Sequence, residues 1–164
     1  MSTLFVDTIN EKTSGNGIAI PGHVVQVVYS QDNSAGEFLT TSTSYVTDAV
    51  LPTATITPKY SNSLIYISSF IGMQYDNTGQ IENTIYRAIS GGATTDLSNG
   101  NVYGLAFSGG SSTQWDNTSV HWVDTPSTTS AVTYTWYARS ETGASVTPRH
   151  AGTSAGMVLM EIAQ

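Results

Sequence analysis

The stretch AVTYTWYARS at residues 131–140 alternates apolar and hydroxyl-bearing side chains. Val132, Tyr134 and Trp136 share one parity, and threonines stand between them. Because successive side chains of a β-strand point to opposite faces, this period of two predicts a strand with one buried face and one hydroxyl-covered face. A strand of this kind needs a second layer over its apolar side, which favours a sandwich or a barrel.

Similar segments recur along the chain, separated by clusters of Gly, Asn, Asp, Ser and Pro. Besides 131–140, the predicted strands are HVVQVVYS (23–30), TSYVTDAVLP (43–52), TATIT (53–57), SLIYISSFIGM (63–73), IENTIYRAI (81–89), VYGLAF (102–107), SVHWV (119–123) and GMVLMEIA (156–163). IENTIYRAI also permits a short helix, but its alternation favours a strand. Roughly eight to ten strands at this spacing predict an all-β, antiparallel β-sandwich, with a jelly roll as the expected topology. Trp122 and Trp136 are expected in its core.

Composition excludes several function classes. Five basic residues stand against 12 acidic ones, giving a net charge of −7, and the basic residues are scattered, so nucleic acid is not an expected partner. Without cysteine there is no disulfide and no thiolate metal site. The N-terminus lacks the features of a signal peptide, and no segment approaches the ~20 apolar residues of a membrane span. Synthesis in a host cytoplasm without membrane insertion is expected.

Residues 1–22 do not share the rhythm of the strands. The segment VDTINEKTSGNGIAIPG (6–22) is polar and rich in glycine, with apolar residues at intervals. Extended apolar pieces around a turn suit strand addition onto a neighbouring protein. We therefore predict an attachment arm at 1–22 and a jelly-roll domain at 23–164. The predicted docking residues are Leu4, Phe5, Val6, Ile9, Ile18 and Ile20. A disordered tail is the alternative.

The opening segment resembles N-terminal segments of phage virion proteins, many of them tail fibres, which carry VDTI-x-EKT-x-GNG-like sequences. ITPKYSNSLIYI (56–67), HWVDTPSTTSAVTYTWYARS (121–140) and GMVLMEIA look like a β-sandwich common in phage structural proteins. The resemblance implies a usually trimeric fibre, appendage or head-surface part, located at the virion surface, and it carries no catalytic residues. This chain departs from tail fibres in having no repeat and no shaft, which favours a head-decoration protein.

The residues with catalytic or ligating potential form no recognisable pattern. His23, His121 and His150 lack metal-ligand spacing, so no metal is predicted; one histidine meeting its copies on a symmetry axis is the alternative. No G-x-S-x-G motif occurs, and the SGG segments at 90–92 and 108–110 are not followed by the lysine of a phosphate loop. We predict a protein that is not an enzyme and has no cofactor.

Three aromatic residues near turn segments are candidates for ligand contact. Trp115 is expected in the turn SSTQWDN, and Tyr75 and Tyr103 flank other glycine-containing loops. Exposed Trp and Tyr side chains stack on sugars or anchor protein interfaces. The alternative for Trp115 is that it folds back over the edge of the sandwich.

The last strand, GMVLMEIA, is apolar on both parities. One face can pack inside the sandwich and the other then needs cover from another subunit, as in trimeric jelly rolls of the tumour necrosis factor type. The predicted trimer interface comprises Met157, Leu159, Met160, Glu161 and Ile162. Glu161 would need a donor such as Arg87 or Arg139. A monomer with Glu161 at a wet edge is the alternative.

The sequence thus predicts a non-enzymatic bacteriophage virion protein. It would dock on other virion proteins of the capsid or tail and project a homotrimeric knob as a capsid decoration or cement protein. A short tail fibre or receptor-binding protein that recognises a host surface glycan or protein is the alternative. A carbohydrate-binding module unrelated to virions is a third class.

Overall fold

The computed structural model describes residues 8–10, 15, 20–33, 35–75, 79–110 and 112–164. Within these ranges the chain forms eleven β-strands and no helix. The strands are β1 (Val24–Asp32), β2 (Phe38–Thr40), β3 (Thr53–Ile56), β4 (Leu64–Tyr75), β5 (Gln80–Ile89), β6 (Thr94–Asp96), β7 (Ala106–Gly109), β8 (Gln114–Asp124), β9 (Val132–Ser140), β10 (Val146–Arg149) and β11 (Ala155–Ile162). They form two antiparallel sheets packed as a sandwich, which confirms the predicted all-β fold and is consistent with a jelly roll.

Sheet A contains β1, β2, β4, β8, β10 and β11, and the long strand β4 lies at its centre. Along one edge of β4, β8 pairs over residues 65–75. Along the other edge, β11 pairs with residues 64–71 and β10 pairs with residues 74–75. Strand β1 then pairs with β11, and β2 pairs with β10. Sheet A is therefore four strands wide at both ends of β4.

Sheet B contains β3, β9, β5 and β6 in that order, with β7 also paired to β5. The strand that decides the fold, β9, lies between β3 and β5. Its alternation fits this position, because Val132, Tyr134, Trp136 and Ala138 are fully buried whereas the residues between them are half-buried. Trp136 also donates its indole N–H to Asn83 Oδ1 at 2.9 Å.

The core lies between the sheets and is filled mainly by isoleucine, aromatic and methionine side chains. Ile65, Ile67 and Ile71 of β4 face Trp136 and other residues of sheet B, and each is 0% exposed. Replacing a large core side chain by alanine costs roughly 2–5 kcal/mol of folding free energy. The buried hydrophobic residues form one continuous cluster between the sheets, and this cluster stabilises the fold in a chain that has no cysteine.

Buried polar groups connect the two sheets and two loops through hydrogen bonds and an ion pair. Tyr134 of sheet B donates its hydroxyl to Asp124 Oδ2 at 2.8 Å, and Arg87 Nη1 lies 2.8 Å from Asp124 Oδ1. Asp124 ends β8, the edge strand of sheet A, so this cluster joins the sheets. Arg149, fully buried, donates to the carbonyl oxygens of Val50 and Thr153 and so fixes two loops.

Two predicted strands differ from the structure. Residues 43–52 form no strand; a single bridge joins Val46 to Ala138, because the chain enters a turn at 49–50. The strand predicted at 102–107 begins only at Ala106, since Gly104 has a φ of +67° and lies directly against the backbone of Asn83. Strand β5 confirms the strand interpretation of 81–89 over the helix.

The structure also corrects the region around β8. That strand begins at Gln114, so Trp115 lies in a strand and not in a turn. Trp122 is 40% exposed and is not a core residue, because β8 is an edge strand that the second sheet covers only in part. The short strands β2, β6 and β10 were not predicted. Each has only three or four residues, and β10 contains Pro148, which disfavours a strand assignment.

Candidate functional site

The outward side of sheet A is apolar because its central strands carry apolar residues on both parities. In β4, the buried isoleucines alternate with the outward residues Leu64, Tyr66 and Phe70. In β11, the outward residues are Val158, Met160 and Ile162. Strands with apolar side chains on both faces are typical of sheets that are covered on both faces.

The strand register extends this character across the sheet. One row runs through Val27, Met160, Tyr66 and Val123, and the next runs through Tyr29, Val158, Ser68 and His121. We define the apolar face as the outward side chains of Val24, Val27, Tyr29, Leu64, Tyr66, Phe70, Val123, Val158, Met160 and Ile162. Four strands about 4.8 Å apart, each contributing about seven residues, outline roughly 400 Å². Apolar patches of this size on single chains are often functional.

No charged side chain occurs within these described rows of the apolar face. Its polar members are Ser68 and His121, together with Gln31 and Ser119 in the row of Phe70. The His121 ring stacks on Tyr66, with the Tyr66 hydroxyl 3.0 Å from His121 Nδ1. The whole chain, in contrast, carries a net charge of −7. Two acidic copies can therefore meet at this face without bringing like charges into contact, which elsewhere on the surface would oppose association.

Glu161 lies beneath the apolar face and is fully buried. Its Oε1 accepts hydrogen bonds from the backbone N–H groups of Lys59 (2.8 Å) and Tyr60 (3.1 Å) and from the Ser63 hydroxyl (2.7 Å). Its Oε2 accepts from Gln26 Nε2 at 2.6 Å. The predicted arginine partner is wrong: uncharged donors stabilise this carboxylate, as hydrogen bonds to a charged form do.

The burial pattern corrects the predicted trimer interface. Met157, Leu159 and Glu161 point into the sandwich and are 0–1% exposed, because they share the inward parity of β11. They have no surface to offer a second subunit. Met160 and Ile162 have the opposite parity and lie on the apolar face. The alternative of Glu161 at a wet edge is excluded by its burial, whereas the trimer itself stays a prediction.

The outward side of sheet B has a different character. Thr53, Thr55, Thr133 and Thr135 cover β3 and β9, and the hydroxyls of Thr55 and Thr133 lie 2.8 Å apart. On β5, the buried carboxylate of Glu82 pairs with the Arg139 guanidinium. This face therefore offers hydroxyls to solvent and pairs the Glu82 Oε2 atom with Arg139, while Glu82 Oε1 is buried without a hydrogen-bond partner among the described residues.

A tyrosine cluster completes the outward side of sheet B. Tyr86 packs against Tyr137 with ring centroids 4.2 Å apart, and the Arg139 guanidinium lies 4.7 Å from the Tyr45 ring centroid. Burial is the main cause that raises the pKa of Tyr45 to about 12; Arg139 acts in the opposite direction, and Glu82 adds to the rise. Tyr45 is therefore a neutral hydroxyl throughout the physiological pH range.

The three predicted ligand-contact aromatics have different environments. Trp115 is 67% exposed, and its ring lies 4.2 Å from that of His150. Tyr103 is 53% exposed and packs edge-on against Phe107. Tyr75 is only 4% exposed and donates its hydroxyl to Gln114, so its ring has no face open for stacking. Trp115 lies on β8 of sheet A, whereas Tyr103 lies in a turn next to Gly104, which bridges to Asn83 of sheet B.

The predicted docking residues are only partly covered by the structure. Leu4, Phe5, Val6 and Ile18 lie outside the described residues. Ile9 is 55% exposed and Ile20 is 37% exposed. The chain joins the sandwich where the N–H of Gly22 donates to the carbonyl oxygen of Ala163 at 2.8 Å. Gly22, where this segment joins the domain, therefore lies beside the end of β11.

The described residues lack two other kinds of site. In the part of the chain that the structure describes, no group of three or more His, Asp or Glu side chains is arranged to hold a metal ion. Across the same residues, no helix is long and apolar enough to cross a membrane.

Comparisons with known proteins give little further guidance. No protein-family model matches this chain, and no curated protein matches it. Among solved structures, a chain from the structure of infectious bursal disease virus, Gx strain, is similar over 89% of this chain, with 12% identity and a TM-score of 0.42. The match covers 37% of that viral chain, so this protein spans well under half of its length. A similarity at this level supports no functional conclusion.

The sequence interpretation missed most of the apolar face. It assigned the outward surface to β11 alone, whereas Val27 and Tyr29 of β1, Phe70 of β4 and Val123 of β8 extend it. The signal was present in HVVQVVYS and SLIYISSFIGM, which are apolar on both parities. Their alignment beside β11 depends on the strand register, which the sequence does not state.

Proposed function

We propose that this protein is a non-enzymatic structural protein of a bacteriophage virion that associates with copies of itself through the apolar face. The observation that carries this proposal is an uncharged apolar face of roughly 400 Å² on a chain whose net charge is −7. Burying it removes apolar surface from water at about 25 cal/mol per Å². The occupant is a second copy of the chain, because two uncharged faces can be buried against each other without leaving any charge buried and unpaired.

The trimeric state and the virion setting rest on the resemblance of the sequence to phage surface proteins. Gly22, where residues 1–22 join the domain, lies beside β11, the strand at the centre of the apolar face. In a trimer built on this face the three arms would emerge near one another and reach a common docking surface.

Capsid decoration is the favoured role because the described strands form a single two-sheet sandwich. In this role the trimer would bridge neighbouring capsid subunits and raise the resistance of the particle to heat. A short tail fibre or receptor-binding protein is the second candidate, and the exposed Trp115 favours it, since such side chains often anchor ligands.

Immunogold labelling tests the virion setting. Antibody raised against the full chain is applied to purified particles of the phage that carries this sequence. Label over the head supports decoration, and label restricted to the tail supports the second candidate. Unlabelled intact particles, with disrupted particles as the positive control, would contradict surface exposure.

Deletion of residues 1–22 tests the arm. Within the described residues of that segment, the domain loses the hydrogen bond from Gly22 to Ala163, so we expect a folded protein that no longer enters particles. Normal incorporation of the truncated protein would show that the arm is not the docking element. Circular dichroism of the purified deletion variant separates loss of docking from loss of folding.

A further inference from the structure

A pocket lies on the outward side of sheet A, beyond the end of the apolar face. It has a volume of ≈ 210 Å³ and is lined by Glu37, Leu39, Gln74, Tyr75, Ser145 and Thr147. Gln74 stands four residues beyond Phe70 on β4, which places the pocket about 13 Å from the last row of the apolar face. The pocket therefore lies outside the rows that define the apolar face.

Trp115 stands beside this pocket. It is the direct cross-strand neighbour of Gln74, and Thr147 is the neighbour of Gln74 on the other side. The row therefore places an exposed indole, an amide and a hydroxyl next to one another. The His150 ring packs against the Trp115 indole, with ring centroids 4.2 Å apart. The Nε2 atom of His150 lies 3.9 Å from Glu37 Oε1.

The polar groups of the pocket have hydrogen-bonding capacity to spare. Among the described residues, the side chains of Gln74, Ser145 and Thr147 make no hydrogen bond, and the Tyr75 hydroxyl, which donates to Gln114 Oε1 at 3.0 Å, retains its acceptor lone pairs. Together with the Glu37 carboxylate they offer an amide, three hydroxyls and one anionic acceptor within a space that suits a single sugar ring. A ligand with several neighbouring hydroxyl groups matches this set.

We propose that Trp115 and this pocket form a binding site for a neutral sugar residue of a glycan. The indole packs against the C–H face of the sugar ring, while Gln74, Thr147 and Glu37 bind its hydroxyl groups. The ligand is neutral because Glu37 is the only charged residue among the described residues that line the pocket, and the chain as a whole is acidic. Sialic and uronic acids would be repelled. The site stands independently of the virion proposal.

A glycan array carrying neutral and acidic oligosaccharides, probed with the full-length protein, tests this site. We expect binding to neutral glycans and none to sialylated or uronic acid-containing ones. Trp115→Ala, Gln74→Leu and Thr147→Val should each weaken binding at least tenfold. Phe107→Ala, which removes an exposed aromatic ring from β7 of sheet B, is the matched control and should bind as the unmodified protein does.

Each variant is checked by circular dichroism and thermal unfolding, so that loss of binding is not confused with loss of folding. Trp115 is mostly exposed and Thr147→Val keeps the shape of the side chain, so at least these two variants should fold normally. Absence of binding to any neutral glycan, binding restricted to acidic glycans, or undiminished binding by Trp115→Ala would each overturn the proposal. None of these results bears on self-association.

Discussion

The outward faces of the two sheets carry different kinds of side chain. Each covers a sheet whose other side fills the same core, yet sheet A presents Val, Tyr, Phe, Met and Ile whereas sheet B presents threonine, tyrosine and an internal Glu82–Arg139 pair. The contrast extends to the buried acids, because both carboxylate oxygens of Glu161 under sheet A accept from uncharged donors, whereas Glu82 on sheet B pairs with an arginine through Oε2 alone. Of the two faces, that of sheet A is the more apolar and therefore carries the proposed contact between copies.

The largest expected effect comes from placing a charge on the apolar face. Met160→Lys puts an ammonium group at the centre of a row that would be buried in the trimer, and an unpaired buried charge costs several kcal/mol. We expect the trimer to dissociate at micromolar concentration while the monomer stays folded. Size-exclusion chromatography with light scattering measures the mass.

The matched control for that variant is Thr135→Lys, which makes the same charge change on the outward side of sheet B. We expect it to leave the mass unchanged. If Thr135→Lys dissociates the protein and Met160→Lys does not, the assignment of the two faces is reversed.

The next effect concerns the buried acid under the apolar face. Glu161→Ala leaves the donors of Lys59, Tyr60 and Ser63 without their acceptor, so the free energy of unfolding should fall by about 3 kcal/mol. Glu141→Ala, at an exposed position, should change it by less than about 0.5 kcal/mol. Urea denaturation at one fixed protein concentration measures both. A loss below about 1 kcal/mol for Glu161→Ala would mean that water replaces the carboxylate at little cost.

The smallest effect concerns alkaline stability and Tyr45 on sheet B. The pKa of Tyr45 is raised from 10.0 to about 12, so in this range the unfolded chain ionises the phenol before the folded chain does. The associated stability is complete below pH 10 and is lost as the pH rises from 10 to 12. Tyr45→Phe should make the decline of the unfolding free energy over this range shallower.

At neutral pH the same substitution should cost little, because the Tyr45 hydroxyl has no hydrogen-bond partner among the described residues. Tyr134→Phe provides the contrast. Burial and Asp124 raise the pKa of Tyr134, and its hydroxyl donates to Asp124 at 2.8 Å, so this variant should lose stability already at pH 7. Identical pH profiles for the unmodified protein and Tyr45→Phe would contradict the role given to burial.

The sequence predicted the fold well where alternation is regular and the strand is long. The strands β1, β4, β5, β9 and β11 were all anticipated, and β9 revealed both the core and the hydroxyl-covered face. Prediction failed where position in the sheet decides the outcome. Trp122 alternates like a core residue but lies on an edge strand, and β10 was hidden by its brevity and by Pro148.

The candidate sites were predictable only in part for the same reason. Parity within β11 separates Met160 and Ile162 from the buried Met157 and Leu159, but the sequence does not state which parity faces outward. The sugar pocket joins residues from β2, β4, β8 and β10, which are brought together by register alone. Trp115 was recognisable from its type, whereas Gln74 and Thr147 carry no signal outside the folded sheet.

Sedimentation equilibrium of the unmodified full-length protein tests the central claim most directly. If the apolar face of sheet A is buried between copies, the mass at micromolar concentration should be three times the 17.4 kDa of one chain. A mass of one chain at every concentration up to the millimolar range would contradict self-association through this face.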